Sequence, residues 1–72
     1  MHDLTKQQKR ALDVIKRYWA KNGYSPSIKD ISAGMGFEGE NDALGHIRAL
    51  QRKGKIDMAK GVARSIRVIQ DQ

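Results

Sequence analysis

Two side chains in this sequence have the chemistry to read a base edge, and they lie seven residues apart. Asn41 can form a bidentate pair with adenine and Arg48 with guanine, as required for reading bases in a major groove. Between them stand Asp42, whose carboxylate can accept from cytosine N4, and Gly45, which puts no side chain in the way of a close partner. Arg52, Lys53, Lys60 and Arg64 can each neutralise a phosphate, and Ser27 falls where a helix begins and backbone N–H groups can meet an anion. Each residue also has a structural use. Asn41 suits a helix cap or first turn, and Arg52 and Lys53 complement a helix C-terminus. Lys60 and Arg64 keep a hairpin tip soluble, Ser27 caps, and Gly45 is tolerated on a surface.

Other chemistries lack their residues. Ser25, Ser27, Ser32 and Ser65 have no recognisable base partner for nucleophilic work. His2 and His46 are unaccompanied by suitably spaced carboxylates or thiols, so neither a metal site nor a cofactor is expected, and no enzyme. The chain of 72 residues has no cysteine, which excludes a disulfide-stapled fold. It has room for one domain, spanning 1–72. No apolar run approaches the ~20 residues of a membrane span, and the first residues do not read as a signal peptide. The expectation is a cytoplasmic protein, associated with the nucleoid and not with a membrane. A net charge of +6 favours a polyanion as partner.

The elements that would position these residues follow from periodicity and punctuation. Ala11, Leu12, Val14, Ile15, Tyr18 and Trp19 recur at helical spacing, which predicts a first helix over about 5–22, capped by Thr5 and stopped at Asn22-Gly23. Tyr18 and Trp19 are expected in the core. Pro26 makes 24–27 a connector, and Ser27 with Asp30 resembles a capping box for a short second helix over about 28–35. Ala43, Ile47 and Leu50 form the buried stripe of a third helix over about 41–53. At ~100° per residue the stripe leaves Asn41, Gly45, Arg48 and Arg52 on the opposite side, with Leu44 and His46 on the flanks. Leu44 is expected to complete the core edge. Ile56 and Met58, then Ile66 and Val68, alternate with polar or small residues, which predicts a two-stranded hairpin over about 55–69 with a basic tip.

Helix, helix, tight turn, helix, hairpin is the order of an α+β winged helix-turn-helix. In that geometry the third helix enters the major groove and the hairpin is the wing. Residues 41–72 hold seven Lys/Arg against three acids, a larger basic excess than in 1–40.

The residues carry a resemblance. Leu4-Thr5, Gln8, Gly23, Pro26, Ile31, Gly36-Phe37, Asn41, Gly61, Arg64, Ile66-Arg67 and, most strongly, the run from His46 to Ile56 resemble the N-terminal DNA-binding domain of the LexA repressor family. The resemblance covers almost the whole chain. It implies sequence-specific binding of double-stranded DNA and a repressor-like regulator of bacterial or bacteriophage origin. The Ser-Lys self-cleaving peptidase domain of that family, which also dimerises, is not in these 72 residues. The resemblance therefore implies neither self-cleavage nor a ready-made dimer, and tight binding calls for a homodimer or a protein partner.

Departures fall on the reading region. Glu38 stands where the family commonly has a basic residue, Gly39 where it often has Ser. Asp42, Leu44 and Gly45 replace the residues often found along the reading face. Only Asn41 carries over cleanly, so the site recognised should differ from the LexA operator. Glu38, Glu40 and Asp42 crowd the entrance to the third helix. They complement its positive N-terminus, or read cytosine, or face a protein. The last option makes the alternative to DNA binding a protein-interaction module that keeps the fold.

Overall fold

In the computed structural model, which describes residues 4–59, 61–62 and 64–69, three helices precede a short antiparallel hairpin. The helices are α1 (Lys6–Asn22), α2 (Ile28–Met35) and α3 (Glu40–Arg52), and the strands are β1 (Ile56–Asp57) and β2 (Arg67–Val68). The order is the winged helix-turn-helix expected from the sequence.

Local chemistry sets the helix ends. Thr5 and Gln8 form a capping box at the start of α1, and Gly23 closes the helix in the left-handed conformation at φ 78°. Ser27 Oγ accepts from the Asp30 amide at 3.1 Å, and Asp30 Oδ2 accepts from the Ser27 amide at 3.0 Å. The shorter Asp thus completes the box at α2. The third helix starts close to the expected place, with Asn41 in its first turn rather than at its cap. Its N-cap is Gly39, which offers no side-chain cap, so Asn41 is the second helical residue and caps nothing.

The core is one layer of mostly small and branched side chains drawn from the three helices, β1 and the approach to β2: Ala11, Ile15, Ile31, Met35, Ala43, Ile47, Leu50, Ile56 and Ile66. Gly34 explains how α1 and α2 come close enough to share it. A β-carbon there would stand 2.8 Å from Val14 Cγ1. A mid-helix glycine costs about 1 kcal/mol in helix propensity, and here it gives the two helices room to cross.

Two expectations about the core are corrected. Tyr18 is not a core residue; it is half-buried at the rim, and its hydroxyl meets Arg64. Leu44 is half-exposed and is not among the partly buried apolar residues that pack on the core. Trp19 does pack on the core, and its indole N–H donates to the Ile66 carbonyl at 2.9 Å. That bond ties α1 to the hairpin, whose strands pair Ile56 with Val68 and Asp57 with Arg67. Across the second pair, Arg67 lies 3.7 Å from Asp57.

Candidate nucleic-acid interface

The turn from α2 to α3 is held by a buried hydroxyl. Ser32 Oγ donates to the Gly39 carbonyl at 2.9 Å, and Gly36 at φ 80° reverses the chain. Ser32 therefore fixes where α3 begins, a role that sequence reading missed because the bond runs from α2 across the turn to a residue seven positions on. Stacked on this turn, Phe37 and His46 lie 5.8 Å apart at 23°.

With its buried stripe fixed inward, α3 turns Asn41, Asp42, Gly45, Arg48 and Arg52 to solvent. Asn41, Gly45, Arg48 and Arg52 share one strip, ~16 Å long at 1.5 Å per residue. Leu44 borders it. Nothing stands within 4 Å of where a Gly45 β-carbon would be, so the strip is open at its middle. Over the whole of α3 the charge is ordered: Glu40 and Asp42 in the first turn, Arg48 and Arg52 toward the end, as the helix dipole favours. The sum is zero. The positive excess lies elsewhere, with six Lys/Arg against one Asp along α1 and five against one over 53–69.

The remaining candidates are not presented alike. Ser27 is spent as an N-cap acceptor, although it sits at the mouth of α2. Lys53 donates to Gln8 Oε1 at 2.8 Å, joining the end of α3 to the start of α1. Lys60 lies outside the described residues. On the wing Val62 is 57% exposed, an apolar tip that the emphasis on basic residues passed over.

Arg64 is turned inward and not outward from the wing. Its Nη1 donates to the Ser25 carbonyl at 3.1 Å and to the Tyr18 hydroxyl at 2.9 Å, and pairs with Asp30 Oδ2 at 3.0 Å. The guanidinium also lies 5.8 Å from the Tyr18 ring centroid and 5.2 Å from that of Tyr24. Hydrogen bonds from Ser27, backbone first, then from Tyr18, together with the Arg64 charge, hold the Asp30 carboxyl below its ordinary value against burial. For Tyr18 the Arg64 hydrogen bond favours the phenolate, but burial, Tyr24 and Asp30 outweigh it and raise the phenol. Next to this cluster Ser25, itself buried, accepts the Ile66 amide on Oγ at 2.9 Å. The contacts of Arg64 and of Ser25 Oγ with Ile66 have no local sequence signal; they join residues 34 to 46 apart.

Comparison with known proteins follows the same outline. Residues 1–65 match the family described as the LexA DNA binding domain. The chain is 46% identical over 65 residues to the LexA repressor of Marinobacter nauticus, covering 90% of this chain and 32% of that protein. It is 40% identical over 72 residues to the LexA repressor of Cellvibrio japonicus, covering 100% and 36%. Against the LexA repressor of Halorhodospira halophila it is 43% identical over 68 residues, covering 94% and 30%. The chain thus spans about a third of the length of the curated relatives it matches.

Proposed function

The chain belongs to the family of LexA DNA-binding domains, and on that premise we propose that residues 1–72 act as one module that binds double-stranded DNA by sequence and represses transcription in a bacterium or bacteriophage. The observation that carries this reading is the open strip of α3 on which Asn41, Gly45, Arg48 and Arg52 stand in line. Laid in a major groove, the strip brings Asn41 to an adenine edge and Arg48 to a guanine edge, with Asp42 at a cytosine amino group. Leu44, left off the core, suits a thymine methyl. Arg52, Lys53 and Lys60 take the phosphates, and the amides at the mouth of α2 beside Ser27 take one more. Arg64 is left out of this set, because its Nη1 is engaged with Tyr18, Asp30 and Ser25.

The departures at 38, 39, 42, 44 and 45 give this module a site different from the LexA operator. One such module buries only about 600–1,000 Å² on DNA, so tight binding is the work of a homodimer or of a partner. The place of action is the cytoplasm, on the nucleoid; among the described residues no helix is long and apolar enough to cross a membrane.

A salt titration of duplex binding by the folded chain tests the reading. Log affinity should fall linearly with log salt, by about 0.9 per phosphate neutralised, for a slope near −3 to −4. No binding at low salt, from a sample whose helices are intact, would hand the acidic entrance to a protein partner and overturn the proposal.

A further inference from the structure

We propose that Arg64 is the latch that sets the wing on the helical body: it is a positioning residue for DNA binding and not a phosphate ligand. The inference rests on the DNA-binding reading for its consequence, but the latch itself is a property of the free protein.

Four observations point the same way. The guanidinium bridges three acceptors from three parts of the chain, the Tyr18 hydroxyl on α1, the Asp30 carboxylate on α2 and the Ser25 carbonyl between them. Its Cζ lies over the Tyr18 and Tyr24 rings, within cation–π distance of both centroids. The Arg64 backbone stands at φ 55°, a left-handed conformation that residues with side chains seldom adopt. Such a backbone persists where its surroundings over-determine it, and here it turns the side chain back onto the body. Immediately after it, the Ile66 amide and carbonyl are both taken, by Ser25 Oγ at 2.9 Å and by the Trp19 indole at 2.9 Å. The second strand is therefore nailed at its root by Arg64, Ser25 and Trp19. The hairpin beyond has only two residue pairs, which by themselves give little rigidity.

A latch and a phosphate ligand respond in opposite ways to two substitutions. Arg64→Lys keeps the charge but loses the planar guanidinium that carries Nη1 out to the three acceptors and sits beside the two tyrosine rings. As a latch variant it should bind duplex about tenfold more weakly, with a salt slope unchanged, and its Ile66 amide should exchange with solvent faster in the free protein. Asp30→Asn keeps an oxygen for the Ser27 amide while removing the charge that holds Arg64. It should also bind more weakly and lose protection at Ile66. If Arg64 were a phosphate ligand, Arg64→Lys would keep its affinity and Asp30→Asn, freed of a negative charge, would bind more tightly; either result overturns the proposal. Unchanged Ile66 exchange in both variants overturns it as well. The amides of Ile47 and Leu50 report in each case that the helical core is still folded. Should the unaltered protein bind no duplex, the DNA-binding reading fails, and the exchange of Ile66 still decides the latch.

Discussion

At the mouth of α2 the Asp30 carboxylate serves the helix and the wing at once, accepting from the Ser27 amide and from Arg64, each at 3.0 Å. Its carboxyl is held below the ordinary 3.8, first by the Ser27 backbone hydrogen bond and also by the Arg64 charge. A carboxyl whose value is lower folded than unfolded contributes stability above its unfolded value and loses it as pH falls through its folded value. The native protein should therefore melt above Asp30→Asn at neutral pH. That margin should narrow below about pH 4 and close once Asp30 is protonated in both states. Melting curves from pH 7 down to pH 2.5 check this. A constant margin across the range would show that the charge of Asp30 is not what matters. Capping by Ser27 and Asp30 was legible in the sequence because it spans three residues. Arg64 was legible only as a basic residue on a hairpin, since its acceptors lie 34 to 46 positions away.

Glycine separates the elements that pack on one another from the one that is left open. Gly34 and Gly45 are both helical and both cost propensity, yet their surroundings differ. At Gly45 the space is empty, and Gly45→Ala should raise stability by about 0.5–1 kcal/mol. At Gly34 the added methyl meets the stiff Val14 at 2.8 Å. Overpacking of about 1–3 kcal/mol should outweigh the propensity gain, so Gly34→Ala should melt below the native protein and Val14→Ala should lessen the difference. Thermal unfolding of the four variants checks the pair. The sequence showed that α2 was short and that a glycine interrupted it, but not that α1 crossed at that point, because a crossing is set by two helices packing on a common core. Periodicity likewise placed Leu44 at the core edge and Tyr18 in the core; both stand further out, and only the packed neighbours settle it. The hairpin was legible as alternation, but pairing extends over just two residues on each strand, because Trp19 and Ser25 rather than a long ladder hold it.

Across the whole molecule the charge is divided in a way the net value hides. The outward side of α1 carries Lys6, Lys9, Lys16 and Lys21, all exposed, with Asp13 paired to Arg17 at 3.1 Å. The reading helix is neutral in sum. If α3 and the wing meet DNA, the cations of α1 raise the local potential without touching phosphates. Changing Lys9 and Lys16 together to Gln should then leave the salt slope of binding within about 0.3 of the native value, whereas Arg52→Ala should reduce it by about 0.9. Fluorescence anisotropy on a short duplex over a range of salt measures both. A large loss of slope from the α1 pair would place the DNA on the opposite side of the molecule.

If the open strip of α3 reads sequence, Asn41 is the residue whose removal should show it. Selection of bound duplexes from a random pool, run in parallel for the native chain and Asn41→Ala, gives the preference at every position. The account predicts that one adenine preference is lost, with the others retained and about 1–3 kcal/mol of affinity lost on the native site. An Asn41→Ala chain that selects the same sequences as the native one, with the same strength, would contradict it.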